Sequence, residues 1–289
     1  MAQKKSRLFP VAFLAAKATL AALKLTNHEG GTLPGFIAEG IDPTFLGDIA
    51  KPEQIVFITG TNGKTTTNNL LNDLLADNGY QTVTNRVGGN ISSGFASSFA
   101  KNATWRGTSK TKLAVMEFDE LSGPRIFPYL QPDILSVTNL FRDTFSRSAT
   151  PDYVFDVMDK GIPASTHLIL NADDMISCRL APQCTHRTYY SIARLAEDTA
   201  EPVGIVSDLT ACPKCGGKLK WDYAHLRHLG HATCEECGYT NPTPDYEVIS
   251  VEPETGKFVV KEHCYEGAPT YEYKLNSYSI VNLYNLFVA

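Results

Sequence analysis

A chain of 289 residues, 43% hydrophobic and 20% charged, is long enough to bury a large core and has an ordinary soluble globular composition. Its net charge of −5 argues against a nucleic-acid binder, which presents a basic face. Seven cysteines are too few for a disulfide scaffold, and four of them fall in two Cys-x-x-Cys pairs, pointing to a metal in a reducing compartment.

Lys4, Lys5 and Arg7 precede the apolar run Leu8-Phe9-Pro10-Val11-Ala12-Phe13-Leu14-Ala15-Ala16, an arrangement similar to a secretory signal. Lys17 and Lys24 interrupt the run, so it does not comfortably span a bilayer. Read as a helix, it sets Val11, Leu14, Ala15, Ala18, Ala22 and Leu25 on one face and both lysines on another. That helix is expected to dock on the protein body, with membrane contact as the alternative. The expected location is the cytoplasm, and in the alternative the inner face of the membrane. Gly30-Gly31-Thr32-Leu33-Pro34-Gly35 is a breaker cluster, so residues 1–50 read as a helix and a lead-in to a domain over 51–289.

Ile55-Val56-Phe57-Ile58 predicts a strand buried on both faces. It runs into Thr59-Gly60-Thr61-Asn62-Gly63-Lys64-Thr65-Thr66-Thr67, and then Leu70, Leu71, Leu74 and Leu75 recur at helical spacing, closed by Gly79. A strand, a glycine loop and a helix N-terminus make an anion site, because unpaired N–H groups and the positive end of the helix dipole converge there. Lys64 adds a cation for the outer phosphates, and Thr65 a hydroxyl for Mg²⁺. The loop is Gly60-x-x-Gly63-Lys64-Thr65, shorter than the general phosphate loop, with Ile58 where that loop has its first glycine.

Short strands at 82–84, 113–118, 134–138 and 167–170 alternate with helical segments at 91–99 and 153–160. The alternation predicts an α/β fold, a mostly parallel sheet with helices on both faces. Ligands bind beyond the carboxyl ends of such strands, where the phosphate loop, Glu117, Asn139 and Asn171 lie in sequence. Glu117 is the expected Mg²⁺ ligand, with Asp119 and Glu120 close enough to share or replace it.

Cys212-Pro213-Lys214-Cys215-Gly216 and Cys234-Glu235-Glu236-Cys237-Gly238 enclose 18 residues. This spacing predicts a structural Cys₄ zinc ribbon inserted over residues 208–245, all four ligands coming from protein. His225, His228 and His231 are expected as surface or packing residues. Cys178, Cys184 and Cys264 are expected as small buried hydrophobes. Strands over 248–251, 258–261 and 271–275, punctuated by Pro253-Glu254-Thr255-Gly256, predict antiparallel hairpins at the sheet edge. The apolar run 280–289 begins a helix at which the chain stops, as a truncated domain would.

At these residues the sequence resembles the Mur ligase superfamily. Gly60-Thr61-Asn62-Gly63-Lys64-Thr65-Thr66 looks like its phosphate loop, and Thr84-Asn85-Arg86 with Gly89-Asn90 is similar to the segment that follows. Glu117-Phe118-Asp119-Glu120 resembles the metal-binding strand end. Val137-Thr138-Asn139-Leu140-Phe141-Arg142-Asp143 and Leu170-Asn171-Ala172-Asp173-Asp174 resemble two further landmarks. Asn282-x-x-Asn285 is similar to an asparagine pair near the nucleotide. The Cys₄ insertion with Gly31-Thr32-Leu33-Pro34-Gly35 resembles the MurT branch, the ATP-using subunits of lipid II isoglutaminyl synthases.

The resemblance implies ATP-dependent phosphorylation of the D-glutamate α-carboxylate in the lipid II stem peptide. Ammonia from a GatD-type glutaminase partner then gives D-isoglutamine. It implies ATP, Mg²⁺ and Zn²⁺ as cofactors, and nucleotide contacts at Gly60–Thr66, Asn139, Asn282 and Asn285. Two departures stand out. Family members continue Arg-Asp-Gln-Leu-Asp-Arg-Tyr-Gly-Glu where this chain reads Arg142-Asp143-Thr144-Phe145-Ser146-Arg147-Ser148-Ala149-Thr150. The family also has a C-terminal domain that closes over ATP, and the sequence stops before it. The alternatives are another Mur-type amino-acid ligase, against which the Cys₄ ribbon argues, and a non-catalytic nucleotide-binding module that docks through its ribbon.

Overall fold

The computed structural model describes residues 5–28, 30–87, 89–141, 151–203 and 209–289, in two compact units. The divergent stretch Arg142–Thr150 lies outside the described residues.

The first unit takes in residues up to Thr59, then Lys64–Leu135 and Gly161–Thr166. Its helices are α1 (Phe9–Leu25), α2 (Leu33–Ile41), α3 (Phe45–Asp48), α4 (Lys64–Asp77), α5 (Ser92–Asn102) and α6 (Gly123–Ile126). Its strands are β1 (Gln54–Thr59), β2 (Thr82–Val83), β3 (Leu113–Glu117) and the first half of β4 (Ile134–Val137). Strand β3 lies between β1 and β2, parallel to both, with Val56 opposite Val115 and Ile58 opposite Glu117. Phe57 anchors the core, stacked on Phe118 with ring centroids 5.4 Å apart and edge-on to Phe95 at 5.2 Å. Each such pair adds about 0.5–1.5 kcal/mol beyond area burial.

Helix α1 buries a face other than the apolar spacing predicts, and helix α4 adds a polar face to its half-buried Leu70, Leu71 and Leu75. Helix α1 docks through Phe9, Ala12 and Ala16, with Phe9 stacked 5.5 Å from Phe45, while Val11, Leu14 and Leu25 point to solvent. The helix is apolar around most of its circumference, so periodicity cannot select a face, and the alanines permit closer packing than the leucines. Helix α4 buries Thr67, Asn68 and Asn72, and Leu74 is exposed. Hydrogen bonds decide that face: Asn72 Nδ2 donates to Asn68 O at 2.7 Å and Val115 O at 3.3 Å, and Asn72 Oδ1 accepts from Thr82 Oγ1 at 2.6 Å.

Helix α2 arises inside the expected breaker cluster. Pro34 fits a first helical turn, and a Cβ on Gly35 would stand 2.0 Å from Ser93 O, so this glycine serves close helix packing. Gly79 ends α4 with φ +83°, as expected.

The second unit comprises Gly60–Gly63, Ser136–Lys160 and His167–Ala289. Helix α7 (Pro151–Asp159) precedes β5 (His167–Asn171) and β6 (Arg187–Ile192). A hairpin, β7 (Leu219–Leu226) and β8 (Leu229–Cys234), leads to β9 (Tyr246–Glu252), β10 (Lys257–Glu262), β11 (Thr270–Lys274) and helix α8 (Ile280–Val288). Strands β5, β6 and β9 run parallel, and β10 and β11 continue antiparallel, as the hairpins predict. Strand β6 has no counterpart in the sequence reading. Its first residue carries a charge, and that guanidinium is consumed by four carbonyls, those of Cys178, Leu180, Ala181 and Cys184. Helix α8 packs Leu283 and Tyr284 against Tyr190, Ile192, Val248 and Phe258.

Candidate nucleotide site and metal centre

In the first unit, α4 opens on Lys64, and β3 ends at Glu117. Asn85 fixes the Glu117 backbone on both sides, accepting from its N–H and donating to its carbonyl, each at 2.8 Å. The carboxylate is shared: Thr65 Oγ1 donates to Oε2 at 2.7 Å and Asn90 Nδ2 to Oε1 at 3.1 Å. Octahedral Mg²⁺ holds adjacent oxygens about 2.9 Å apart, from metal–oxygen distances of 2.0–2.1 Å, so the Thr65–Glu117 pair fits two neighbouring positions of that ion. Lys64 Nζ lies 3.0 Å from Glu120 Oε1. Burial raises the Glu120 pKa, and the Lys64 charge offsets part of the rise. Asp119 caps the turn, accepting from Leu121 N at 3.1 Å. The three acids thus have separate tasks. Thr66 is exposed on α4.

In the second unit the loop Gly60–Gly63 is moulded to the segment after β4. Thr61 N donates to Asn139 O at 2.8 Å, Asn62 N to Asn139 Oδ1 at 3.1 Å, and Thr138 Oγ1 to Asn62 O at 2.6 Å. Gly60 and Gly63 have φ of +123° and +88°, and a Cβ on Gly63 would lie 2.2 Å from Asn285 Oδ1. Asn285 is buried on α8 beside the loop, whereas Asn282 is exposed in its first turn, donating through its backbone N–H to Ser279 Oγ. Asn171 Nδ2 donates to Thr138 O at 3.2 Å, and Asp174 Oδ2 accepts from Leu140 N at 2.7 Å. These supporting contacts, like those of Asn85 and Asn90, fall on residues that carry the family resemblance, but which partner each side chain meets has no signal in the sequence.

The four cysteines form one cluster, their sulfurs all within 4.8 Å of one another, with Cys212–Cys237 at 3.7 Å and Cys215–Cys234 at 3.5 Å. A ZnS₄ tetrahedron with Zn–S near 2.3 Å has edges of about 3.8 Å, so the set fits zinc. The two knuckles repeat one turn. Gly216 N donates to Cys212 O and Gly238 N to Cys234 O, and these glycines have φ of +78° and +69°. Donation from Cys237 N to its sulfur holds the Cys234 thiol down at about 7, which favours the ligating thiolate.

His228 is buried, the buried His225 ring is in hydrogen-bond contact with Asp198 Oδ1 and Ile192 O, each at 2.8 Å, and His231 pairs with Asp222 at 2.6 Å. Cys178 and Cys184 are buried as expected, but Cys264 is exposed, on the turn beyond β10. Asp173, fully buried, accepts from Ile192 N at 2.9 Å and Tyr284 Oη at 2.7 Å, and burial lifts its pKa to about 6.

Residues 58–207 match the Mur ligase middle domain. The chain is 34% identical over 280 residues to the MurT subunit of the glutamine-hydrolysing lipid II isoglutaminyl synthase of Staphylococcus aureus (strain COL), covering 95% of this chain and 60% of that protein. The MurT subunit of Streptococcus pneumoniae (strain ATCC BAA-255 / R6) is 32% identical over 270 residues, 90% of this chain and 57% of that one. The chain therefore spans about 60% of the length of these curated relatives. Among solved structures, a pseudomurein peptide ligase type C from Methanothermus fervidus shares the fold, with a TM-score of 0.61 at 24% identity over 84% of this chain and 46% of that one.

Proposed function

The chain belongs to the Mur ligase family, and from that footing we propose that it is the ATP-using part of a lipid II isoglutaminyl synthase. The observation that carries this reading is the division of labour after β3, where Glu117 meets Thr65 at 2.7 Å and Glu120 meets Lys64 at 3.0 Å. Thr65 and Glu117 would hold Mg²⁺, which supplies positive charge against the phosphates of ATP. Backbone N–H groups from Gly63 through Thr66 and the Lys64 ammonium bind and orient the phosphates, the Thr61 and Asn62 N–H groups being donated to Asn139 to shape the loop, and Asn139, Asn282 and Asn285 contribute to nucleotide contacts. Cys212, Cys215, Cys234 and Cys237 hold a structural zinc.

The acceptor is the α-carboxylate of D-glutamate in the stem peptide. One of its oxygens bonds to the γ-phosphorus as the bond to the ADP oxygen breaks. Ammonia, delivered by a GatD-type glutaminase partner, then attacks the acyl carbon. Phosphate leaves with the bridging oxygen, and the nitrogen gives up a proton to leave the D-isoglutamine amide. Lys64 offsets charge on the phosphoryl group during the first step, which is most of what such catalysis requires. The reaction belongs in the cytoplasm.

The test is incubation with ATP, Mg²⁺, glutamine, a lipid II stem peptide and the glutaminase partner, read by mass spectrometry. Exchange of one carboxyl for one amide, with stoichiometric ADP, supports the reading. Addition of an amino acid instead assigns the chain to an amino-acid ligase branch. Nucleotide binding without either product makes it a binding module.

A further inference from the structure

Among the described residues the fold covers helix α1 on one side. Phe9, Ala12 and Ala16 are buried, whereas Leu8, Val11, Leu14 and Leu25 are 51%, 57%, 60% and 89% exposed. At about 100° per residue, Val11, Leu14, Ala18, Ala22 and Leu25 fall in one arc opposite Ala12 and Ala16, with Lys17 and Lys24 beside it. Trp105, 71% exposed, lies edge-on to Phe13 with centroids 6.4 Å apart, and Lys17 Nζ sits 5.6 Å from its ring. Two basic segments therefore meet here. Residues 1–28 carry Lys4, Lys5, Arg7, Lys17 and Lys24 and no acid. Residues 101–112 carry Lys101, Arg106 and Lys110 and no acid, with Lys112 at the end of the segment paired to Glu53 at 3.9 Å. Both stand out in a chain of net charge −5.

We propose that α1 and the Trp105 turn form a docking surface for an anionic lipid bilayer. An exposed aliphatic stripe flanked by cations and a tryptophan matches the interface between acyl chains and acidic headgroups. Among the described residues no helix is long and apolar enough to cross a membrane, so α1 lies in the headgroup plane. A second copy of the chain is a poorer occupant, because a symmetric contact through this stripe sets its lysines against their own equivalents. The inference draws on the packing of α1 and not on the ligase reading.

The test is flotation of the full chain with phosphatidylcholine vesicles with and without phosphatidylglycerol. Binding is expected only with phosphatidylglycerol, weakening as salt is added. Val11→Ser with Leu14→Ser weakens it roughly tenfold or more, and each of Lys5→Gln, Arg7→Gln and Lys24→Gln roughly fivefold. In a Trp221→Phe background, Trp105 fluorescence shifts to the blue on binding. Retained zinc and an unchanged circular dichroism spectrum identify folded variants, and the exposed lysine substitutions test the idea even if the apolar pair misfolds. Absence of binding to anionic vesicles overturns the proposal, as does binding indifferent to these charges. Loss of self-association in the serine variants, without vesicle binding in the parent, assigns the stripe to a contact between copies instead.

Discussion

Lys64 Nζ stands 3.0 Å from Glu120 Oε1, with the two side chains only 16% and 10% exposed. The cation at the head of α4 is therefore held by a carboxylate that burial makes reluctant to ionise, and a phosphate is a stronger acceptor in the same role. Lys64→Ala should weaken ATP binding by between about tenfold and a hundredfold, the range of a charge-assisted hydrogen bond, while zinc content stays unchanged. Titration calorimetry and metal analysis measure both. Undiminished ATP affinity would sink the phosphate-loop assignment.

Thr65→Val removes the hydroxyl that shares Glu117 and keeps the size of the side chain. The Mg²⁺ concentration needed for half-maximal nucleotide binding should rise about tenfold, with metal-free nucleotide affinity little changed. A Mg²⁺ titration that superposes on the parent's removes Thr65 from the ion's ligands.

Gly63→Ala meets two obstacles, a φ of +88° and the Asn285 amide oxygen 2.2 Å from the new Cβ. We expect a loss of about 1–3 kcal/mol in urea unfolding. Asn285→Ala relieves the clash but not the backbone strain, so the double variant should recover about 1 kcal/mol relative to additivity. Strict additivity would mean that Asn285 does not constrain the loop.

Asp173 keeps its proton to about pH 6, against an ordinary value of 3.8, because it is buried. The folded state thus holds this proton after the unfolded state has released it. The associated stability is fully present below 3.8 and is lost as pH rises to about 6, a loss of roughly 3 kcal/mol. Asp173→Asn should lack that fall, so the difference in unfolding free energy between variant and parent should change across this window. Parallel profiles for the two proteins would show that Asp173 titrates as an ordinary carboxylate.

Cys215→Ser breaks the sulfur set while leaving the rest of the hairpin intact. Zinc should be lost at chelator concentrations the parent withstands, with a change in Trp221 emission on β7. Equal retention of zinc would leave Cys215 outside the coordination.

Much of the candidate site's local geometry was legible because its signals are local. The glycines before Lys64 and the paired cysteines each define a turn that few sequences need, and both turns form. The separate tasks of Glu117, Asp119 and Glu120 were not legible, since they depend on which partner each carboxylate meets across the fold. The parallel order of the strands followed from alternation, but β6 has no counterpart there, although Thr188, Tyr189, Tyr190 and Ile192 are strand-favouring residues. The buried face of α1 differs from the one that spacing predicts, and the polar face that α4 adds to its half-buried leucines has no apolar signal. Hydrophobic spacing ranks faces by transfer energy, whereas α1 is decided by how closely alanines pack and α4 by amide hydrogen bonds.

The polar stripe of α4 has a mechanical consequence. A helix seated on leucines is held by the fit of its side chains alone, whereas a hydrogen bond adds a fixed direction. Asn72 is bonded to Val115 O on one side and Thr82 Oγ1 on the other, so it works as a key in a slot and sets the angle of the helix. Lys64 and Thr65 lie on the same rigid rod, about 12 Å and two turns away. The aim of the cation and hydroxyl is therefore indexed by an amide that never touches them, and a leucine at position 72 would leave that aim adrift.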